Sequence, residues 1–419
     1  MLPLRIRLRK NHCNLFPGHR IALAVLSACF CPIQSSSGAD ALMRLGTPAQ
    51  GASTAQPATD APRPLRPAAD RAPAPIRYNH GEPSDLEQYM LELLNDSRAH
   101  PAETAAELGI GLNDGIAAGQ TIIAAPKPPL AFNPNLIAAA RAHSLWMLDT
   151  DTFSHDGENG LHPDERMSEA NYLFTPPYKW GENIAQSGST QAVDPVQYVL
   201  DEHHGLFKSP GHRVNMMEPG FEEIGIAVEQ GKFYTQGRNF NAVIATQDFA
   251  TSDGTPGPFI TGVVFADRDN DGFYSPGEGI AGVEVRPNKG SHYAVTSKSG
   301  GYAIPFQRYA GPLTLTFKLP DFPVEIKRHV NGKTTNVGGR LNLSEISPQF
   351  AADTIRIDSN GHFSCKIAGP YGRDVRVEWS EDLVHWKPKT TLHLPGGTAS
   401  FADSSSGRQQ RFYRLKVVD

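Results

Sequence analysis

The hydrophobic pattern of this sequence changes its period near Ala250, and this change is what most restricts the folds open to the chain. Before Ala250, runs such as NLIAAARAHSLWML repeat apolar residues at the spacing of an α-helix. After Ala250, short alternating runs separated by Gly and Pro predict β-strands, with almost no helical spacing. The chain has 419 residues, more than one hydrophobic core usually organises. We therefore expect a mixed α and β domain followed by all-β modules.

The first domain, predicted over residues 81–250, combines helix signals with a final pair of strands. The SDLE capping box and the Asn-Pro pair before LIAAAR predict two helix starts, and PVQYVLDEH predicts a third helix. The alternating segment IGIAVEQGKFYTQGRNFNAVIATQDFA predicts two antiparallel strands with turns at Gly231 and Gly237. Helices followed by paired strands favour an α+β domain.

The first 39 residues have the order of an export signal, because basic residues precede the apolar run IALAVLSACF. Two processing sites fit: cleavage after Ala39, and a lipobox-like LSAC that would leave a lipidated Cys29. Both predict export to the periplasm, the cell surface or the extracellular space, and lipidation would hold the protein at a membrane surface. Residues 40–80 are rich in Ala and Pro without an apolar period, which predicts a disordered linker.

Charge and cysteine content exclude some classes of protein. The net charge of −5 and the absence of a concentrated basic stretch in the mature chain argue against nucleic-acid binding. Three of the four cysteines fall in the predicted signal, so only Cys365 remains and no internal disulfide is expected.

The segment DRDNDGFYSPGE has the residue pattern of a twelve-residue calcium loop, with Gly272 at the sharp turn. An acidic, solvated hairpin is the alternative, but closely spaced carboxylates repel each other unless a cation neutralises them. The predicted calcium ligands are Asp267, Asp269, Asp271, the Phe273 carbonyl, Ser275 (directly or through water) and Glu278.

Strand-like sequences flank this loop, whereas a calcium sensor needs two helices that can swing apart. The stretch GVVFADRDNDGFYSPGEGIAGVEV, followed by TSKSGGYAIPF, resembles the calcium-binding, prealbumin-like B-type repeats of bacterial surface proteins. The resemblance implies a β-sandwich spacer at residues 259–330 with a structural calcium ion, after a linker at 251–258. Residues 331–419 predict a further C-terminal β module, whose alternating aromatics we expect in its core.

Three separate stretches of the first domain carry polar residues suited to a common site: TFSHDG with His155, KWGENIAQSG with Glu182, and KSPGHRVNMM with His212. Ser209 is predicted as a helix cap, which puts His212 in the first turn, where the helix dipole disfavours its protonation. Taken singly, each residue also has a structural interpretation. Glu182 could pair with Arg166 or Arg213, and His143 could be a helix-packing residue.

Together and in this order, these stretches resemble the bacterial branch of the CAP superfamily, which includes cysteine-rich secretory proteins, venom allergens and plant pathogenesis-related proteins. The resemblance implies a three-layer α-β-α sandwich with a central cleft. It assigns His155 and His212 to the two cleft histidines, which can bind zinc or another divalent ion, and Glu182 to one acid. Glu202, or alternatively Asp201, supplies the second acid.

The resemblance does not fix a reaction, and three functions are open. We favour an exported protein whose cleft binds an extracellular lipid, peptide or cell-wall ligand without turnover, with two β modules holding it off the surface. A metal-assisted hydrolase would use His155 and His212 as zinc ligands and Glu182 as general base, with Glu202 as the other candidate acid. A surface adhesive protein is the third interpretation.

Overall fold

The computed structural model describes residues 34–36, 74–360, 362–404 and 411–418. The predicted export signal, apart from 34–36, and the lipobox Cys29 lie outside the described residues, as does most of the predicted linker. In the described part, no helix is long and apolar enough to cross a bilayer. The α-helices there are α1 Asp85–Ala99, α2 Pro101–Glu107, α3 Pro134–Asp149, α4 Pro163–Glu169, α5 Pro195–Lys208 and α6 Pro210–Met217.

The helices begin where the sequence predicted. Ser84 caps α1 in a capping box with Glu87, and the side chain of Asn133 accepts from the main chain in the first turn of α3. Ser209 occupies the cap position of α6, but its side chain makes no capping hydrogen bond. This leaves His212 at the third helical position, as expected.

The first domain is built on one sheet with the strand order β1-β4-β6-β5-β3. The β5–β6 hairpin turns at Gln236 and Gly237, which both have positive φ. The turn predicted at Gly231 is wrong: Gly231 lies inside β5 and pairs with Ala242, because the longer hairpin continues the ladder through it. The strands are β1 Gln34–Ser36, β2 Ile76–Arg77, β3 Ala131–Phe132, β4 Tyr178–Ser189, β5 Glu223–Thr235 and β6 Arg238–Ser252.

Helices cover both faces of this sheet, which gives the predicted three-layer α-β-α sandwich. Successive side chains of a strand point to opposite faces. On β4, Ile184 packs in one cluster with residues of α3, whereas Ala185 packs in a cluster with residues of α1 and α5. Helix α3 lies so close to β5 that a Cβ at Gly225 would meet the Leu136 carbonyl carbon at 2.0 Å.

The first β module has two facing sheets, ordered β10-β7-β13 with β14 beside β7, and β12-β11-β8-β9-β2. Strand β2 comes from the predicted linker. It is ordered because Ile76 and Tyr78 donate main-chain hydrogen bonds to Ser291 and Tyr293, a long-range pairing that local composition does not reveal. The module strands are β7 Phe259–Phe265, β8 Glu284–Pro287, β9 His292–Val295, β10 Gly301–Pro305, β11 Gly311–Lys318, β12 Ile326–Gly332, β13 Val337–Gly338 and β14 Leu341–Asn342.

The first β module shares a hydrophobic core with the first domain. Phe273 and Tyr274 from the loop after β7 belong to the same buried cluster as Met90 of α1. Asn336 adds a polar link, since its side-chain amide donates to the Glu222 carbonyl at 2.6 Å while its oxygen accepts from the Phe259 amide at 2.8 Å. The two units are therefore joined by packing and hydrogen bonds as well as by the chain.

The C-terminal region forms two further small sheets, one ordered β15-β17-β16 with β20 beside β17, and one ordered β19-β18-β21. Of the alternating aromatics expected in the core, Tyr413 packs against the buried cluster that contains Phe401, whereas Trp379 and Trp386 are half-buried. Arg411 lies 4.3 Å from the Trp379 ring centre, and Arg414 lies 4.3 Å from that of Trp386. The strands are β15 Gln349–Phe350, β16 Arg356–Ile357, β17 Phe363–Ala368, β18 Arg373–Ser380, β19 Lys387–Leu394, β20 Thr398–Asp403 and β21 Phe412–Val418.

Candidate functional site

Glu182 on β4 is held by two of the residues that the sequence singled out. His155 donates from Nδ1 to Oε1 of Glu182 at 2.6 Å, and Arg166 donates from Nη2 to Oε2. The same guanidinium donates from Nη1 to the His155 carbonyl at 2.7 Å. Of the two arginines proposed as structural partners of Glu182, Arg166 is therefore the one used. Arg213 instead donates to main-chain carbonyls, among them that of Phe207 at 2.9 Å.

This network keeps a fully buried carboxylate ionised. Burial of Glu182 raises its pKa, but the hydrogen bond from His155 and the charge of Arg166 outweigh this cost and lower the pKa below its usual value. Because the acceptor is a carboxylate, the proton of His155 resides on Nδ1. A carboxylate that orients an imidazole in this way is also the usual partner of a metal-binding histidine.

Two further residues of the network were not recognised as site residues from the sequence. Asp248 lies directly opposite Glu182 in the β4–β6 register and is buried. Burial raises the pKa of Asp248 well above its usual value, the charge of Glu182 raises it further, and Arg166 opposes the shift. The sequence signal that could have identified Asp248 is that it is the one acidic residue in the otherwise uncharged strand segment VIATQDFA.

His143 on α3, predicted as a packing residue, lines the same network. Its Nε2 lies 2.9 Å from the Ser154 carbonyl, and its ring stacks on Trp146 with centroids 5.6 Å apart. Burial lowers the pKa of His143 to about 4, with Glu182 opposing this shift. His143 is therefore neutral at physiological pH, as a packed core histidine should be.

Helix α6 brings the main chain of His212 close to the residue that follows Glu182 on β4. This residue, Asn183, points to the opposite face of the sheet from Glu182, and its side-chain amide donates to the His212 carbonyl at 3.3 Å. Asn215, one turn further along α6, donates to the Glu182 carbonyl at 3.2 Å. Helix α6 therefore lies along the edge of β4 beside Glu182, and the candidate cleft lies at this edge.

Of the two alternatives for the second acid, Glu202 is buried and Asp201 is exposed. Burial raises the pKa of Glu202 well above its usual value, and Ser187 on β4 opposes the shift by hydrogen bonding. Ser187 is on the same face of β4 as Asn183, so Glu202 lies on the His212 side of the sheet. The structure thus joins His155 to Glu182 and places Glu202 beside Ser187 on the same strand. In the described ranges no three-ligand His, Cys, Asp or Glu group includes these residues.

The predicted calcium loop does bring its acids together. One carboxylate oxygen each from Asp267, Asp269 and Asp271 lies within 4.8 Å of the others, and this is the one such group among the described residues. Gly272 has the positive φ of 76° that the turn requires. Glu278 closes the loop by accepting from the Ser275 amide at 2.9 Å.

The charges of this loop suit a bound cation. Asp267 is 8% exposed, and its Oδ1 has no hydrogen-bond partner among the described residues, although a buried polar atom normally has one. Burial raises the pKa of Glu278, hydrogen bonds from main-chain amides oppose this, and the charges of Asp269 and Asp267 raise it further. Oxygen ligands of this kind and spacing suit calcium.

Comparisons with known proteins find similarity to the first domain. Residues 91–249 match the model of the cysteine-rich secretory protein family, CAP. The uncharacterized protein YkwD of Bacillus subtilis (strain 168) is 34% identical over 110 residues, which is 26% of this chain and 38% of that protein. The match therefore spans well under two thirds of the relative's length.

Two solved structures are also similar. An extracellular protein containing an SCP domain from Bacillus anthracis is 28% identical, with 29% of this chain and 34% of that chain covered and a TM-score of 0.22. An outer surface protein from Borrelia burgdorferi is 14% identical, with 39% of this chain and 93% of that chain covered and a TM-score of 0.24. On the family match and the observed three-layer fold, the protein carries a CAP domain at residues 91–249, followed by several β-sheet modules.

Proposed function

We propose that this protein is an exported CAP-domain protein that binds an extracellular ligand in the cleft at the edge of β4. The observation that carries the proposal is the locked Glu182, whose two oxygens are held by His155 and Arg166. A residue fixed in this way orients a neighbour, here His155, and does not exchange protons readily with a substrate. The arrangement favours recognition over turnover.

The ligand class follows from the location and chemistry of the cleft. Export is proposed from the basic and apolar order of residues 1–39. Lipid, peptide or cell-wall material are the ligands that an exported protein encounters. In the cleft, the imidazoles would exchange hydrogen bonds with the ligand, and the raised pKa values of the buried Glu202 and Asp248 carboxyls favour the protonated form that can donate them.

A divalent ion such as zinc would be held in this cleft by His155 and His212. The hydrogen bond of His155 Nδ1 to Glu182 leaves Nε2 as the ligand atom of that imidazole. When bound, the ion would supply a positive centre for an anionic or carbonyl group of the ligand. Two protein ligands hold zinc more weakly than the three of most catalytic zinc sites.

The hydrolase alternative is the weaker proposal. A general base works best with a pKa near the working pH, whereas the pKa of Glu182 is lowered by His155 and Arg166 against the effect of burial. Glu182 is also fully buried. Water activation by Glu182 would therefore require both partners to move away.

We further propose that calcium at Asp267–Glu278 is a structural clamp between the CAP domain and the first β module. The fit of three aspartate oxygens and the orphaned Oδ1 of Asp267 supports the ion. The packing of Phe273 and Tyr274 against α1 supports the clamp. A rigid junction would present the cleft at a fixed orientation on the spacer.

The test uses the purified mature protein, with defined muropeptides, peptides and lipids as probes, followed by isothermal titration and by product analysis on the same samples. We expect binding without turnover, weakened by H155A and by H212A. An exposed histidine changed in the same way, H329A, is the matched control. Zinc-dependent cleavage that H155A abolishes would replace the binding proposal by the hydrolase.

A further inference from the structure

A cavity of about 470 Å³ lies between the calcium loop and the C-terminal β region. Asp267, Arg268 and Asn270 line it from the loop, and Tyr371 and Arg373 line it from the segment that leads into β18. The volume is in the range of small-molecule sites. It is remote in sequence from the CAP cleft and is not used by the function proposed above.

Two guanidinium groups line the cavity, and they differ in exposure and in hydrogen bonding. Arg268 is exposed and donates from Nη1 to the Gly277 carbonyl at 2.8 Å. Arg373 is half-buried, and within the described ranges its side chain has neither a hydrogen bond nor an ion pair. A guanidinium is a planar fork of donors whose best partner is a carboxylate or phosphate. Arg373 is therefore an unused anion ligand at a concave surface.

An aromatic ring and a histidine complete the lining. Tyr371 is half-buried and stacks on Phe322, with ring centroids 6.2 Å apart and planes at 28°, which fixes its position. His393 lies on β19, directly across from Asp374 of β18, and its Nδ1 lies 2.8 Å from Oδ1 of Asp374. An aromatic ring held in place beside guanidinium donors is suited to a sugar ring, which has apolar C–H faces and polar edges.

We propose that this cavity binds a uronic acid unit of an acidic polysaccharide. The carboxylate of the sugar pairs with Arg373, assisted by Arg268, and the ring lies against Tyr371. The proposal rests on the calcium clamp proposed above, because the carboxylates of the loop, Asp267 among them, would repel an anion unless a cation neutralises them.

The test is isothermal titration of the calcium-saturated full chain with tri-galacturonate, with its neutral methyl ester as the ligand control. We expect the acid to bind and the ester not to bind. R373Q should weaken binding about tenfold or more, as expected for loss of a hydrogen-bonded charge partner. R238Q, at the exposed turn of the β5–β6 hairpin, is the matched control and should bind like the parent protein.

Calcium uptake by the parent protein and by R373Q is measured first, without sugar, together with the melting temperature. Calcium uptake by a folded protein that does not bind the uronate overturns the sugar site and leaves the clamp intact. Equal binding of acid and ester, or unchanged binding by folded R373Q, also overturns the sugar site. Arg373-dependent uronate binding without calcium uptake would overturn the clamp, and with it the proposed need for a cation beside the sugar carboxylate.

Discussion

The ring of Phe273, inside the calcium loop, lies 6.3 Å from the ring of Tyr89 on α1, with the two planes at 73°. This edge-to-face contact joins the loop directly to the first helix of the CAP domain. Arg340, from the segment between β13 and β14, lies over Phe273 on the module side, with its guanidinium carbon 5.1 Å from the ring centre. The loop is thus part of the junction between two units and not a free turn.

Calcium should therefore stabilise the CAP domain as well as the first β module. At a calcium concentration about 100 times the dissociation constant, the free energy of unfolding should rise by about 2.7 kcal/mol. Calorimetry with and without chelator should show both units shift together. D267N should lose the shift, whereas D353N, an exposed acid of the C-terminal region, should keep it. If the unfolding temperature of the CAP domain did not change with calcium, the result would contradict a junction shared by the two units.

Removing Arg166 should destabilise the protein strongly. R166A would leave a fully buried Glu182 carboxylate with the hydrogen bond from His155 but without its cationic partner, and breaking a buried pair costs about 3–5 kcal/mol. R308A removes an ion pair to Glu222 at 3.5 Å in which the arginine is largely exposed, so it should cost less than about 1 kcal/mol. Urea unfolding of both variants gives the comparison. Similar losses of stability in the two variants would show that the pairing of Arg166 with Glu182 contributes no more than an exposed ion pair.

The stability of the protein should fall between about pH 4.5 and pH 7 because of Glu92 on α1. Burial raises the pKa of Glu92 from 4.5 to about 7, while Arg340 and a hydrogen bond from Gln88 oppose the shift and Asp96 adds to it. The unfolded carboxyl ionises at lower pH than the folded one, so the unfolded state releases its proton first. The free energy of unfolding falls by up to about 3 kcal/mol as the pH rises through this window, and the decrease is complete above its upper limit.

The measurement is the free energy of unfolding as a function of pH for the parent protein and for E92Q. The glutamine cannot ionise, so the free energy of unfolding of E92Q should fall less steeply between about pH 4.5 and pH 7 than that of the parent protein. E103Q, at an exposed position of α2, is the control and should follow the parent curve. An identical decline in E92Q would mean that another group carries the titration.

G225A should disrupt the contact between α3 and the sheet. The added methyl group would overlap the main chain of Leu136, which cannot move as a flexible side chain would, so we expect a loss of several kcal/mol or failure to fold. G338A is the matched control, since a Cβ there meets nothing within 4 Å. Thermal unfolding and circular dichroism distinguish the two. A stable G225A protein would show that α3 can lift from β5 at low cost.

Several features were predictable because short-range rules determine them. The capping box at Ser84, the Asn133 cap of α3 and the spacing of acids in the calcium loop all depend on residues a few positions apart. The order of helices and strands followed from the change in hydrophobic period. The turn at Gly231 was wrong because a glycine can also continue a long hairpin, and pairing with Ala242 decides which it does.

The sequence by itself determined which residue types are present for each site: two imidazoles, buried acids and a calcium loop. Only the tertiary structure decided how they pair. It chose Arg166 over Arg213 as the partner of Glu182, put Asp248 opposite Glu182 across two strands, and packed Phe273 on α1. These relationships join segments far apart in the chain. Strand register and helix docking fix them, and no local pattern of charge or hydrophobicity encodes either.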